Sequence, residues 1–254
     1  MSAEKIYQIH ETVANVYRAA RPDAPLDTQV LYGERVEHVG TENDWARVRL
    51  LRDDYIGFMP INLLKQDIFE PTHRVIVPRT LIFAKPDLKT PPVGALTMAA
   101  EVRIIDEDGK FSRLSNGGFA FTQHFRPLSF KATDFVAVAE QFLHAPYLWG
   151  GRSVLGIDCS GLVQTSLLMA GQRVPRDSGP QEKALGEPLP QKISYEDIQR
   201  GDLLFWPGHV AIARGYGTMI HATAHVMQVT IESINKACER ILEDGTRLSC
   251  IKRL

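Results

Sequence analysis

Residues 146–163 read PYLWGGRSVLGIDCSGLV, a glycine-rich loop that leads into the first turn of an apolar helix. After Cys159 the residues at helical spacing are mostly apolar, and Gly171 stands where a helix C-cap is expected. One face of this helix is predicted to consist of Leu162, Val163, Ser166, Leu167 and Ala170. Cys159 is therefore predicted at a helix N-terminus, where unpaired backbone N–H groups and the helix dipole favour a thiolate. The stretch predicts a cysteine placed for nucleophilic catalysis.

Two histidines downstream of Cys159 are candidates for a base and its orienting group. Residues 201–214 read GDLLFWPGHVAIAR, which is typical of two strands joined at Pro207 and Gly208, and MIHAT at 219–223 is typical of a third. Alternation along these strands makes His209 and His221 possible neighbours across a hairpin. A thiol, a base and a group that orients the base are the components of a cysteine-hydrolase triad.

The chain has three cysteines, and their spacing does not suggest a disulfide framework. Cys238 lies on the apolar side of a helical pattern and Cys250 ends an alternating run, so both are interpreted as structural. The first residues lack the charged start and the apolar middle of a signal peptide. We therefore expect a reducing, cytoplasmic location, in which Cys159 stays a thiol.

Charge and hydropathy argue against two classes of partner. Lys and Arg together number 29 against 30 acidic residues, with no basic run, so the sequence lacks the electrostatic footprint of nucleic-acid binding. Its apolar runs are far shorter than a membrane-spanning helix, so no membrane association is expected. His209 and His221 lack cysteine or carboxylate neighbours at ligand spacing, so neither a metal nor a cofactor is expected.

The N-terminal half is predicted to form two small β domains. From Thr12 to Leu64, short β-type runs alternate with turn residues, and a similar order recurs from Thr72 to Leu128. Residues 111–114 then correspond to residues 45–48, which indicates two divergent repeats. A single larger all-β domain is the alternative.

Further elements are predicted on both sides of the Cys159 helix. Thr133 is expected to cap a helix that ends at Pro146, and Asp177 or Ser178 to cap a short helix that starts near Pro180. A surface helix is predicted at residues 231–242, and a last strand at residues 247–251.

Six short motifs occur in an order typical of one enzyme family. They are Tyr-x-Trp-Gly-Gly at 147–151, Asp-Cys-Ser-Gly at 158–161, Arg-Asp-Ser at 176–178, Gly-Asp-Leu-Leu-Phe at 201–205, Gly-His-Val-Ala-Ile at 208–212 and His-Ala at 221–222. In this order they resemble the NlpC-type cysteine peptidases of bacterial cell-wall peptides, which have a papain-like core. The resemblance covers residues 131–254 and implies that Cys159 is the nucleophile, His209 the general base and His221 the third member of the triad.

Substrate-binding positions are expected close to the nucleophile. The residues expected there are Tyr147, Asp158, Ser160, Asp177 and Ser178. An oxyanion needs positioned donors, and the backbone N–H of Cys159 and the Tyr147 hydroxyl are the candidates. In this family the Asp-Ser segment at 177–178 lines the cleft, and this role competes with helix capping.

The two β domains resemble bacterial SH3-like domains, which often precede this catalytic core. We therefore expect an α+β protein in which two small SH3-like β-barrels, at residues 1–71 and 72–128, precede an NlpC-type domain at residues 129–254. Family members with such repeats resemble γ-D-glutamyl-L-diamino acid endopeptidases, which cut L-Ala-γ-D-Glu from the diamino acid of murein stem peptides. Hydrolysis of that peptide through a thioester, in cell-wall recycling, is the expected function. An amidase or acyltransferase with the same thiol chemistry, or a catalytically silent wall-binding module, is the alternative.

The first β domain is expected to take part in substrate recognition. Binding the free ammonium of an N-terminal L-Ala requires a carboxylate, and Glu34, at a turn between predicted strands, resembles the acidic residue that family members with this domain use. Asp158 is a second candidate, and Tyr55 is expected beside Glu34. The alternative is that Glu34 is a solvated turn residue and Tyr55 a barrel aromatic.

Overall fold

Two structural units make up the computed structural model, one ending at Phe130 and the other running from Lys131 to Leu254. The structure describes residues 5–190 and 193–254. In these residues the first unit consists of strands and two short 3-10 turns, and the four α-helices all belong to the second unit. The protein is therefore of the α+β class, as predicted.

The first sheet of the first unit has seven antiparallel strands in the part of the chain that the structure describes. They are β1 (Lys5–Ile9), β2 (Val13–Tyr17), β3 (Leu26–Leu31), β4 (Arg35–Glu42), β5 (Trp45–Leu50), β6 (Ile56–Pro60) and β7 (Leu64–Lys65). Their order across the sheet is β3-β2-β6-β5-β4-β1-β7. Alternate residues, among them Val16, Val48 and Met59, point to one face and form a buried apolar core.

The rest of the first unit repeats this strand order. Its strands are β8 (His73–Val75), β9 (Arg79–Phe83), β10 (Pro92–Thr97), β11 (Glu101–Val102), β12 (Ile104–Asp108), β13 (Phe111–Leu114), β14 (Phe119–Phe121) and β15 (Phe125–Pro127). Strands β10-β9-β14-β13-β12 form one sheet, in the same relative order as β3-β2-β6-β5-β4, and β11-β8-β15 form another. The shared order is what the predicted repeat requires, while the boundary at residue 71 stays a prediction.

The second unit packs helices against one antiparallel sheet. Its strands are β16 (Arg152–Ser153), β17 (Gly156–Ile157), β18 (Glu187–Pro188), β19 (Leu203–Trp206), β20 (His209–Gly215), β21 (Thr218–Thr223), β22 (Gln228–Ser233) and β23 (Cys250–Arg253). Its helices are α1 (Phe135–Glu140), α2 (Cys159–Met169), α3 (Ser178–Ala184) and α4 (Ile234–Glu243). The main sheet has the order β18-β23-β19-β20-β21-β22, and α2 packs on β20 and β21. No helix within residues 5–190 and 193–254 has the length and apolar character needed to cross a membrane.

Helix α2 begins at Cys159 as predicted, and Gly171 follows its end with a φ of 82°. The prediction of one apolar face is too narrow, because nearly every residue of α2 is buried, including Gln164 and Thr165. A helix enclosed on all sides is held in position by the whole unit. The position of Cys159 is therefore set by the core and not only by the local loop.

Several predicted boundaries are wrong. Asp134, not Thr133, caps α1, since its side chain accepts the backbone N–H groups of Val136 and Ala137, and α1 ends at Glu140, well before Pro146. Helix α3 starts at residue 178, before the predicted Pro180. The last strand spans residues 250–253, not 247–251.

The predicted helix at residues 231–242 begins three residues too early. Residues 231–233 belong to β22, which pairs along its full length with β21. Ile231 fits an apolar helical pattern, but its pairing with Ile220 satisfies the backbone. Tertiary pairing therefore decides where α4 begins.

Candidate active site

Cys159 is the first residue of α2, so its position depends on how that helix begins. Asp158 occupies the N-cap position, and its Oδ1 accepts a hydrogen bond of 2.7 Å from the backbone N–H of Gly161. Cys159 is 7% exposed, and its thiol receives backbone hydrogen bonds from Val210 and Ser160. The bond from Val210 brings the thiol to the start of β20, the strand whose first residue is His209.

Burial changes the acidity of this thiol in the direction opposite to the one predicted. Desolvation, together with the negative charge of Asp158, raises the pKa of Cys159 to about 12. The backbone hydrogen bonds and the Arg176 cation lower the pKa, but by less. The expectation that the helix N-terminus makes the thiolate easy to form is wrong for the resting protein, because the loss of solvation outweighs the backbone hydrogen bonds and the Arg176 cation.

The structure brings His209 and His221 together. Nε2 of His209 lies 2.8 Å from Nδ1 of His221, which is hydrogen-bond distance, and the two rings meet edge to face. They stand on adjacent strands, β20 and β21, which pair with Ile212 opposite Ile220. The prediction that His209 and His221 are neighbours across a hairpin is therefore confirmed.

The environment of His209 keeps its ring neutral. Burial, followed by the nearby His221 and Arg240, lowers the pKa of His209 to about 3, and the Glu232 carboxylate offsets only part of this. Trp206 contributes to the enclosure, with its ring centre 5.7 Å from that of His209. A neutral imidazole can accept a proton from a thiol, which is what a general base must do.

Tyr147 lies in the loop before α2, where its backbone N–H donates to the carbonyl of Met227 over 2.9 Å. Burial, and then the charges of Cys159 as a thiolate and of Asp158, raise the pKa of Tyr147 to about 12. The hydroxyl therefore keeps its proton at neutral pH and remains a hydrogen-bond donor. This electrostatic interaction shows that the Tyr147 side chain lies near Cys159, while its role in substrate binding stays a prediction.

A buried arginine, which the sequence reasoning missed, connects the predicted residues beside the nucleophile. The Arg176 side chain is fully buried, and its Nη2 lies 2.6 Å from Oδ2 of Asp158. Its Nη1 donates to Oδ1 of Asp158 at 3.0 Å and to Oγ of Ser160 at 2.9 Å. Asp158 and Ser160, the two sequence neighbours of Cys159, are thus held in place by their contacts with Arg176. The sequence does contain a signal for Arg176, because this residue opens the Arg-Asp-Ser motif at 176–178. The prediction of substrate-binding residues used only Asp177 and Ser178 of that motif.

Asp177 and Ser178 lie at the start of α3. Asp177 occupies the N-cap position, as one of the two alternatives predicted, but its side chain makes no capping hydrogen bond. Ser178 is already helical, so its predicted capping role is wrong. Their competing role, a position in the substrate cleft, stays a prediction.

The remaining two cysteines have partners of their own, and the thiol of Cys238 also lies within electrostatic reach of Glu232. Cys250 Sγ donates to Oε1 of Glu182 over 3.5 Å, and Cys238 interacts with the Tyr195 hydroxyl. Burial raises the pKa of both thiols. These contacts fit the structural role predicted for the two residues.

Glu232 is a second residue that the sequence reasoning missed. Its Oε1 lies 2.7 Å from Nε2 of His221 and 2.5 Å from Nη2 of Arg240. The predicted helix at residues 231–242 included Glu232, so the residue was not recognised as part of a strand. On a strand beside β21, alternation places Glu232 on the same face as Thr230, which is paired with His221.

Glu34 and Tyr55 belong to the first unit. Glu34 is 7% exposed, with Oε2 accepting the backbone N–H of Leu31 at 2.9 Å and Oε1 contacting the Arg52 guanidinium. The alternative that Glu34 is a solvated turn residue is therefore wrong. Tyr55 packs against the core of the first sheet, and its backbone N–H donates to Asp53. The substrate-binding role of both residues stays a prediction.

Comparison with known families separates the chain into two matched regions. The model of the NlpC/P60 family matches residues 144–240, which contain Cys159, His209 and His221. A model described as the bacterial dipeptidyl-peptidase SH3 domain matches residues 16–64.

Similar proteins extend over most of the chain. Dipeptidyl-peptidase 6 of Lysinibacillus sphaericus is 31% identical over 250 residues, covering 88% of this chain and 90% of the relative. The gamma-D-glutamyl-L-lysine dipeptidyl-peptidase of Bacillus subtilis (strain 168) is 31% identical and covers 79% of this chain and 73% of the relative. A crystal structure of an NlpC/P60 family protein from Bacillus cereus ATCC 10987 has the same fold, with a TM-score of 0.81, 24% identity and coverage of 98% of this chain and 99% of that chain. The chain thus belongs to the NlpC/P60 family of cysteine peptidases and carries an SH3-like domain in its N-terminal half.

Proposed function

We propose that this protein hydrolyses the bond between γ-D-Glu and the diamino acid of peptidoglycan stem peptides, with Cys159, His209 and His221 as a catalytic triad. The observation that carries the proposal is the 2.8 Å contact between His209 Nε2 and His221 Nδ1, in the unit whose helix α2 begins at Cys159. The substrate class is supported by relatives named gamma-D-glutamyl-L-lysine dipeptidyl-peptidase.

The thiol and the imidazole begin the reaction as a neutral pair, because the pKa of Cys159 is raised and that of His209 is lowered. The Cys159 proton moves to His209 as the sulfur attacks the γ-carbonyl carbon of D-Glu. Nδ1 is the ring atom that takes this proton, since Nε2 is engaged with His221. Coupling proton transfer to attack avoids a separate thiolate in a site that solvates it poorly.

The tetrahedral intermediate then collapses into a thioester. His209 gives its proton to the amine nitrogen of the diamino acid, the C–N bond breaks and the diamino acid leaves. Water attacks the thioester while His209 accepts one of its protons, and the thiol is restored as L-Ala-γ-D-Glu leaves. The backbone N–H of Cys159 and the Tyr147 hydroxyl donate to the oxyanion in both steps.

The substrate carries a free N-terminal L-Ala in this proposal, and its ammonium is recognised by a carboxylate. Asp158 and Glu34 are the two candidates, with Tyr55 beside the substrate. Both carboxylates already have an arginine partner, Arg176 for Asp158 and Arg52 for Glu34. A carboxylate has two oxygens with about four acceptor positions. Those of Asp158 already accept from Gly150, Ser160, Gly161 and Arg176, so an ammonium there would have to displace one of these donors. A peptide that is free of glycan fits a role in cytoplasmic cell-wall recycling.

The experiment compares three substrates with the purified protein. L-Ala-γ-D-Glu-L-Lys should release free lysine, while its N-acetylated form and the corresponding muramyl peptide should show a much lower kcat/KM. Removing one partner of a desolvated ion pair costs on the order of a few kcal/mol, so Glu34→Ala should raise KM strongly if Glu34 binds the ammonium.

Two variants test the nucleophile. Cys159→Ala should abolish lysine release with its circular dichroism unchanged, and Cys250→Ala is the matched control that should keep most activity. Lysine release by Cys159→Ala protein would refute the triad. Equal kcat/KM for the three substrates would refute recognition of the free amine and leave the cleavage itself standing.

A further inference from the structure

The chain of contacts from the nucleophile does not end at His221. Glu232 Oε1 lies 2.7 Å from Nε2 of His221, whose side chain is fully buried. Arg240 on α4 lies 2.5 Å from the same carboxylate oxygen. The described contacts therefore run from Arg240 through Glu232 and His221 to His209.

The protonation of His221 follows from this arrangement. Burial alone would raise the pKa of Glu232, but hydrogen bonds and charges from His221 and Arg240 lower it below its ordinary value. Glu232 is thus a carboxylate at neutral pH and can only accept hydrogen bonds. A carboxylate oxygen 2.7 Å from Nε2 of His221 favours a proton on that nitrogen. The other tautomer would turn a nitrogen lone pair towards the carboxylate.

This tautomer determines which atom of His209 can act as a base. A His221 ring with its single proton on Nε2 offers Nδ1 as an acceptor, 2.8 Å from Nε2 of His209. Nε2 of His209 then carries the proton, and Nδ1 of the same ring has a free lone pair. In the opposite tautomer His209 would carry its proton on Nδ1 and could not accept one from a thiol.

We propose that Glu232 is a positioning residue that keeps the proton of His221 on Nε2, so that His209 presents an unprotonated Nδ1 to the thiol of Cys159. Arg240 holds Glu232 in place for this task. The inference rests on the proposed Cys159, His209 and His221 triad. It adds a fourth group that acts through His221 without touching the substrate, as the carboxylate of a serine-protease triad acts through its histidine.

The test of the proton position needs no substrate. Imidazole 15N chemical shifts of the full chain at neutral pH should identify His221 as protonated on Nε2 and His209 as protonated on Nε2. An Nδ1 proton on His221 in the wild-type protein would overturn the inference. This readout stays decisive even if the protein does not cleave the proposed peptide, so failure of the proposed function is distinguished from failure of this inference.

Glu232→Gln removes the charge, and its amide can donate as well as accept, so the single tautomer should be lost. We expect kcat to fall about 10- to 100-fold with KM nearly unchanged, as is typical for groups that orient a catalytic ligand. Glu243→Gln, at the exposed end of α4, is the matched control and should behave as the wild type. A Glu232→Gln protein with wild-type kcat and an unchanged His221 tautomer would overturn the proposal.

Glu232→Asp keeps the test falsifiable if Glu232→Gln does not fold. A shorter carboxylate should preserve the His221 tautomer and recover part of kcat, whereas a purely structural role would not link kcat to the tautomer. The titratable and charged groups that face Glu232 are His221, Arg240, His209 and Cys238, and these groups can shape the pH profile of kcat. The acid limb of the pH profile of kcat should differ between Glu232→Gln and the wild-type protein. An identical profile in the two proteins would count against the proposal.

Discussion

Replacing Arg176 with methionine should destabilise the catalytic unit far more than breaking an exposed ion pair does. The Arg176 side chain is fully buried and makes two short contacts with the Asp158 carboxylate, at 2.6 and 3.0 Å. It also donates to Oγ of Ser160 and to the carbonyl of Gly151. Without the guanidinium, a buried carboxylate loses its counter-charge while it still caps α2.

The expected loss is on the order of 3–5 kcal/mol, because removing one partner leaves an uncompensated buried charge. For a unit of this size the loss corresponds to a fall in Tm of about 10–20 °C. Arg200→Met is the control in the same unit. Its side chain is 37% exposed and pairs with Asp134 and Glu140, so its loss should cost about 1 kcal/mol or less.

Urea denaturation near neutral pH, followed by pulsed hydrogen exchange and mass spectrometry, measures the effect on residues 131–254 separately from the first unit. Arg176→Met combined with Asp158→Asn should be less destabilised than the sum of the two single variants, because it removes the unpaired charge as well. A loss below about 1 kcal/mol in Arg176→Met, or strict additivity in the double variant, would refute the argument.

Three further predictions concern the histidines and the start of α2. Because the pKa of His209 is lowered to about 3, the unfolded chain binds a proton that the folded protein does not, and the free energy of unfolding should fall as pH falls through the window from about 6.5 to 3. His209→Asn should reduce this slope by up to about 1.4 kcal/mol per pH unit, measured by urea denaturation at several pH values, and an unchanged slope would contradict the buried neutral ring. Gly161→Ala should destabilise the unit by about 1–3 kcal/mol in thermal unfolding, since its Cβ would lie 2.4 Å from the carbonyl oxygen of Gly151, whereas Gly179→Ala, with open space around its Cβ, should be nearly neutral. Similar Tm values for the two glycine variants would contradict the close packing there. His221→Ala should be less damaging than His209→Ala, with a loss of kcat smaller by a factor of about 10 to 100, because His221 orients the base and does not transfer the proton. Equal losses of kcat in steady-state assays would argue against this division of roles.

Local signals in the sequence were sufficient to place Cys159 at the start of its helix. The glycine-rich loop before Cys159 and the apolar spacing after it marked the start of α2, and Gly171 marked its end, so both ends could be predicted from residues close in sequence. The alternation around His209 and His221 likewise predicted their meeting across adjacent strands. Helix caps and strand alternation depend on neighbours a few residues away, which is why these predictions held.

Burial and partners distant in sequence could not be read in this way. The helix dipole acts locally and predicted an acidic thiol, but desolvation by the surrounding unit raises the pKa of Cys159 instead. Glu232 was hidden because residues 231–242 carry a helical pattern, and only pairing with β21 makes 231–233 a strand. Arg176 is 18 residues from Asp158 in the chain, so the Arg-Asp-Ser motif could mark Arg176 itself but not its ion pair with Asp158.

The sequence alone therefore determined the reactive residue types, their order and the secondary structure that carries them. The tertiary structure decided their protonation and their partners, because the solvation of a charge depends on all the atoms around it. For Cys159 and His209 that environment favours the neutral forms of both groups.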